Sequence, residues 1–195
     1  MEIEKYNLEI IFTTPVLGTQ PQKDVASEFI GNKFLDNGGK MESDELESLD
    51  SNLEKGTTAF YKLDGKPIFY DYQVKGFLKE AGRTFNGLDG VKSLRSKIDN
   101  MVFFKPRQIL IQIPDGKEIE YLERPLRAET AQGPRVGLAR SEMLPEGTKF
   151  ECKIEVYRSQ INYDILHDLL TYGANKGIGQ WRNGGYGRFD FTLTK

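Results

Sequence analysis

Gly173-Ala-Asn-Lys-Gly-Ile-Gly-Gln-Trp-Arg-Asn-Gly-Gly-Tyr-Gly-Arg-Phe189 is the stretch from which the rest of the chain can be read. Gly177, Gly179, Gly184, Gly185 and Gly187 crowd between a segment of helical period and one of strict alternation. Glycine loses more chain entropy on folding than any other residue. Such density therefore implies a backbone that comes close to something or turns through positive φ. The exposed N–H groups of such a loop can hold a phosphate. Lys176, Arg182 and Arg188 add positive charge, and Trp181 and Tyr186 offer faces on which bases can stack. The stretch is no Walker loop, because it lacks a Gly-Lys-Ser/Thr ending and leads into a strand. A packing role, in which the glycines let a helix lie close on its own sheet, is compatible with all of this.

Working outward, the residues before the loop predict a helix from about Asn162 to Tyr172, burying Ile165, Leu166 and Leu169, with Gly173 as its C-cap. Those after it predict a closing strand over Tyr186–Leu193. At the other end, Leu8, Ile10 and Phe12 mark a first strand over Asn7–Thr13, stopped by Pro15 and Gly18. Asp24 is the N-cap of an expected helix to about Leu35, and an acidic insert follows at about 38–56. Thr57–Leu63 and Pro67–Tyr70 read as strands around an Asp64-Gly65 turn. Val74, Phe77, Leu78 and Ala81 then sit at helical spacing, and Val91–Ile98 reads as a second helical piece. Gln108–Ile113 and Glu118–Leu122 read as a hairpin through Asp115-Gly116, and Arg135–Glu142 with Thr148–Tyr157 as another pair. The order predicts an α+β fold: a ferredoxin-like (RRM-like) antiparallel sheet with helices on one face, plus inserted hairpins and the acidic loop. We expect one domain over residues 1–195, with a β-rich insert at about 100–130.

Composition narrows the function. The 195 residues carry a net charge of −2, yet Lys75, Lys79, Arg83, Lys92, Arg95, Lys97, Lys105 and Arg107 concentrate positive charge in one stretch. That pattern allows a local basic face for nucleic acid, and equally an ordinary solvated surface. Cys152 is the single cysteine, which excludes an internal disulfide and a cysteine-based zinc site. No metal site, nucleophilic triad or cofactor motif is visible. The opening Met1-Glu-Ile-Glu-Lys-Tyr does not read as a signal peptide, and no apolar run is long enough to span a bilayer, so a cytoplasmic protein is expected.

Gly177–Phe189 resembles the C-terminal glycine-rich loop of the RAMP superfamily, the RNA-binding subunits and processing nucleases of CRISPR systems. Three further segments resemble that family in the same order. Leu8–Thr19 resembles the opening strand and its Pro-Leu-x-Gly-like turn. Phe69-Tyr-Asp-Tyr-Gln-Val-Lys-Gly-Phe-Leu-Lys-Glu-Ala81 resembles the Pro-Gly-Ser-Ser-Leu-Lys-Gly-x-Leu-Arg segment of backbone-type members. Arg140-Ser-Glu-Met-Leu-Pro-Glu-Gly-Thr-Lys-Phe150 resembles the strand-turn-strand segment ending in Pro-x-Gly-Thr-x-Phe. The resemblance implies Lys75 as a phosphate contact. Asp71, Tyr72 and Gln73 depart from it, standing where the family has small residues.

The expected function is binding of single-stranded RNA, such as a guide RNA, without chemistry of its own. Lys75, Lys79 and Arg83 would meet phosphates alongside the loop residues named above. Two alternatives stay open: a metal-independent ribonuclease of the same superfamily, and a phage or mobile-element protein that engages or mimics such a subunit, with homo-oligomers or RAMP-type subunits as partners. His167, beside Leu166 and Leu169, reads as a partly buried structural residue.

Overall fold

The computed structural model describes residues 3–21, 57–130, 133–157 and 160–195. The expected helix Asp24–Leu35 and the acidic insert at 38–56 lie outside the described residues. In chain order the elements are β1 (Ile3–Phe12), β2 (Val16–Leu17), β3 (Gln20–Pro21), β4 (Thr57–Ala59), β5 (Tyr61–Leu63), β6 (Lys66–Tyr70) and α1 (Asp71–Thr84). There follow a 3-10 turn (Leu88–Gly90), α2 (Leu94–Met101), β7 (Val102–Lys105), β8 (Gln108–Gln112), β9 (Glu120–Thr130), β10 (Gly133–Leu144), β11 (Lys149–Tyr157), α3 (Tyr163–Lys176) and β12 (Phe189–Thr194). The chain divides into two compact units: Met1–Val16, Tyr61–Glu118 and Leu144–Lys195 form the first, Leu17–Phe60 and Ile119–Met143 the second.

The first unit is built on β1. Tyr6, Leu8, Ile10 and Phe12 are buried while Lys5, Asn7 and Ile11 on the opposite face are exposed, as period-two alternation requires. β11 and β12 flank β1, both antiparallel, with Ile10 opposite Phe150 on one side and Phe191 on the other. β7 and β8 pair in succession along the far side of β11, giving the lateral order β12-β1-β11-β7 or β8, extended by β6 and β5. Strand, helix, strand, strand, helix, strand in that antiparallel order is the ferredoxin-like α+β fold. An aromatic cluster fills its core. Phe150 lies 6.1 Å from Phe12 and 5.5 Å from Phe69, and Phe189 lies 6.3 Å from Phe12 and 5.6 Å from Phe77. Each ring of this kind contributes about 1.5–3 kcal/mol by leaving water.

α1 buries Val74, Phe77, Leu78 and Ala81. α3 begins at Asn162, whose side chain accepts from the Ile165 N–H, and buries Ile165, Leu166, Leu169 and Leu170. It does not stop at Gly173. The helix runs on to Lys176 with Gly177 as its cap, and Gly173 is interior, because a Cβ there would lie 2.4 Å from the Phe77 ring. Gly173 is the contact point between α3 and α1.

In the second unit, β10 pairs antiparallel with β9 from Gly133↔Thr130 to Met143↔Glu120 and parallel with β4 at Arg140↔Thr57, while β3 lies antiparallel on β4. Buried Glu142 accepts a hydrogen bond from the Phe60 N–H (2.9 Å). Gly18 is pressed against Ala59, with room for no side chain.

These pairings correct three expectations. Asp115-Gly116 does form a turn, with Gly116 at φ 76°, but the strands it joins do not pair with each other. β8 already has β6 and β11 as neighbours, and β9 takes β10. β10 and β11 likewise flank a turn at Glu146-Gly147 without forming a hairpin. Thr57–Leu63 is two short strands that enter different sheets, and β7 was not anticipated.

Two measurements check this packing. Gly173→Ala should lower stability by about 1–3 kcal/mol in urea titration, since the added methyl has to displace a buried ring. Burial pushes the Cys152 thiol up to about 12, so at neutral pH it stays protonated within the core. A thiol-reactive dye should leave the native chain unlabelled at pH 8 and label one site per chain after denaturation.

Candidate nucleic-acid interface

Lys75, Lys79 and Arg83 recur every fourth residue on α1 and so share one face. Two of them already have partners. Lys79 Nζ lies 2.9 Å from the Asp99 carboxylate on α2. Lys75 Nζ donates to the Asp99 carbonyl (2.6 Å) and lies over the Phe103 ring, 4.8 Å from its centroid. Burial lowers the Lys75 pKa, against the opposing pull of Asp99. The hydrogen bond from Lys79 lowers that of Asp99. Lys75 is thus a brace between α1, α2 and β7 whose side chain is only 16% exposed. Arg83, one turn further on, is exposed.

The glycine-rich loop folds back on itself. Ile178 N–H donates to the Gly187 carbonyl (2.8 Å), and Gly187 N–H donates to the Pro15 carbonyl (2.8 Å). Gly187, at φ 74°, could carry no side chain, because its Cβ would fall 1.8 Å from the Ile178 oxygen. Gly177 (φ 87°) packs against the backbone of Tyr186 and Gly187, and both glycines are buried. Gly179 and Gly185 also take positive φ. Gly184 lies beneath the Trp181 ring, where a Cβ would sit 2.7 Å from the indole. Trp181 and Tyr186 stack on each other, with centroids 5.1 Å apart and planes 18° apart, and Trp181 stays 43% exposed. The two rings therefore form one tier rather than two separate platforms.

α1 and the loop are fastened together. Arg182 Nη1 meets Glu80 Oε2 at 2.6 Å, a contact that places the loop's tip beside the basic helix. Lys176 Nζ reaches Asn183 Oδ1 (3.4 Å) across the loop. The Arg188 side chain is exposed, while its N–H donates to Thr14 Oγ1 (2.9 Å). The loop and α1 are thus joined at Arg182, with Lys75, Lys79 and Arg182 in internal ion pairs, while Arg188 lines a pocket with Thr13, His167, Thr171 and Asn175.

His167 is exposed rather than partly buried, its ring 5.2 Å from Phe191 and 6.0 Å from Tyr163. Its neighbours Leu166 and Leu169 face the core, and the helical turn of 100° per residue carries position 167 away from it. The open sheet face bears interleaved charges of both signs, with ion pairs Lys149–Glu9 (3.5 Å) and Lys105–Glu155 (2.7 Å). Among the described residues no group of three or more His, Cys, Asp or Glu could hold a metal ion, and no helix is long and apolar enough to cross a membrane.

No protein-family model matches the chain, and no curated protein does. Solved structures do. The fold is shared with a chain of the type III-B Cmr-beta complex, determined by cryo-electron microscopy bound to cognate target RNA, at a TM-score of 0.57 and 13% identity. The match covers 100% of this chain but 61% of that one, so this chain spans less than two thirds of its length. A chain of a type IV-B CRISPR complex aligns with a TM-score of 0.51 and 12% identity over 98% of this chain and 90% of that one. The chain therefore shares its fold with these two chains of CRISPR complexes.

Trp181, the single tryptophan, reports directly on the loop. Gly184→Ala should lift the indole off its glycine and shift the emission spectrum with little loss of stability. Gly187→Ala should cost about 3 kcal/mol or more in denaturant titration, because the clash is with backbone.

Proposed function

We propose that the chain is an RNA-binding subunit of a CRISPR-type ribonucleoprotein, holding single-stranded RNA in position without reacting on it. The observation that carries this reading is the Glu80–Arg182 link, which draws the basic helix and the glycine-rich loop into one patch. Arg83 is exposed one turn beyond Glu80's neighbour Lys79 on the same helix, the loop carries the aromatic tier of Trp181 and Tyr186, and Arg188 is exposed at the start of β12. Cations for phosphates and aromatic faces for bases are the two components of single-strand binding. Support of a coarser kind comes from the fold, which is shared with a chain from a complex solved with target RNA. In this reading Lys75 and Lys79 act mainly by fixing α1 against α2, and the phosphate contacts fall to Arg83, Lys176 and Arg188.

Protein partners fit the same reading. β12 pairs only with β1 among the described residues, which leaves its outer edge open to a neighbouring subunit.

The test is fluorescence anisotropy with labelled single-stranded RNA between about 50 and about 200 mM salt, the range over which phosphate contacts show themselves. Affinity should fall with salt at a log–log slope of about −0.7 per phosphate neutralised. Arg83→Glu and Arg188→Glu should each weaken binding and flatten that slope by about 0.7. A binding constant indifferent to salt overturns the reading.

A further inference from the structure

Tyr61, Tyr70 and Tyr72 form an aromatic cluster at the start of α1, apart from the glycine-rich loop. Tyr70 and Tyr72 are nearly parallel, with centroids 5.5 Å apart and planes 13° apart. Tyr61 meets Tyr70 edge-on at 4.7 Å, and the Tyr72 hydroxyl donates to the Tyr61 hydroxyl at 3.3 Å. These are offset-stacked and edge-to-face geometries of the kind that hold aromatic rings in place. The arrangement is locked from the backbone side as well. Gln73 Oε1 accepts from the Tyr70 N–H (2.8 Å), and Asp71 Oδ1 accepts from the Tyr72 N–H (2.8 Å).

A core cluster would bury all three rings, but this one does not. Tyr72 is 54% exposed, the most exposed of the large aromatic and aliphatic side chains among the described residues. Tyr70 stacks on one of its faces, and more than half of the side chain stays in contact with solvent. The hydrogen bond to Tyr61 pushes the Tyr72 phenol up to about 12, so the ring stays neutral at physiological pH and does not repel phosphate. Next to it, the Asp71 N–H donates to the Arg107 carbonyl (2.9 Å). Asp71 and Arg107 both line a groove of about 1040 Å³ across the open sheet face, which also holds Phe103, Lys105 and Lys153. The exposed aromatic side chain thus adjoins a groove of mixed charge, in which Arg107, Lys105 and Lys153 alternate with Glu9, Asp71 and Glu151 and Lys105 is paired with Glu155.

We infer that Tyr72, backed by Tyr70 and braced by Tyr61, is a base-stacking platform for one nucleotide of a single-stranded RNA whose backbone continues past Arg107. The inference rests on the proposed RNA-binding function and adds to it a second contact region with a different chemistry. Stacking is insensitive to salt, whereas the loop and α1 contacts are electrostatic.

The experiment uses the full chain and labelled single-stranded uridine oligomers, alongside oligomers of equal length with abasic positions. Tyr72→Ala should weaken binding to the intact oligomer by about tenfold and leave the salt slope unchanged. Tyr72→Phe should bind like the wild type, since the ring is kept and only the hydroxyl pair is lost. The abasic oligomer should bind wild type and Tyr72→Ala alike. Ultraviolet cross-linking of wild-type protein to 5-bromouridine RNA should place a cross-link on the peptide carrying Tyr72, a readout that survives any folding defect in the alanine variant. Unchanged affinity in Tyr72→Ala overturns the inference. So does a cross-link found only elsewhere, or a variant that keeps its RNA affinity but loses self-association, which would make the tyrosines a protein contact. A wild-type chain that binds no RNA instead retires the functional proposal itself.

Discussion

Everything at the C-terminal end depends on two backbone segments approaching closer than any side chain permits. Ile178 and Gly187 share a 2.8 Å hydrogen bond, and Gly187 in turn binds Pro15 at the exit of β1. That crossing connects the end of α3, the start of β12 and the end of β1. Arg188 continues it, since its carbonyl accepts from the Thr13 N–H at 2.9 Å. Without the crossing, Arg182 would have no fixed position from which to meet Glu80, and Trp181 and Tyr186 would not be held face to face.

The glycines consequently serve packing first. Gly177 and Gly187 are buried in the crossing, and Gly184 lies under an indole. The loop offers a ligand its side chains more than its amides, because Ile178 and Gly187 N–H groups are already bonded internally. The charge follows a similar logic. Several cations that look free in the sequence are paired with Asp99 or Glu80, so the patch available to an anion is smaller than the residue count implies. This accords with a chain whose overall charge is slightly negative.

Periodicity made the ferredoxin-like core legible. Leu8, Ile10 and Phe12 mark β1, Val74, Phe77 and Leu78 mark α1, and Ile165, Leu166 and Leu169 mark α3, because each pattern is set by burial against one neighbour. What stayed hidden was set by contacts remote in sequence. Gly173 has the look of a helix terminator, and only the Phe77 ring reveals why a glycine sits mid-helix. The Asp115-Gly116 turn is local and was readable, whereas the partners of β8 and β9 are chosen by competition among several strands. Val102–Lys105 is too short, and too quickly followed by Pro106, for its alternation to separate a strand from the end of a helix. The candidate site was legible as a set of residue types. The partnership of Lys75 and Lys79 with Asp99, and the mutual stacking of Trp181 and Tyr186, required coordinates.

β1 lies between β11 and β12, and the contacts of β1 and the turn after it therefore reach far along the chain: Glu9 to Lys149 spans 140 residues, and Thr14 to Arg188 spans 174. A strand whose two neighbours both lie far along the chain cannot be paired until the intervening residues have been made. Its apolar face, Tyr6 to Phe12, must wait unpaired through most of synthesis, in a topology whose high contact order slows folding. Assembly of the first unit therefore cannot finish before β11 and β12 have been synthesised.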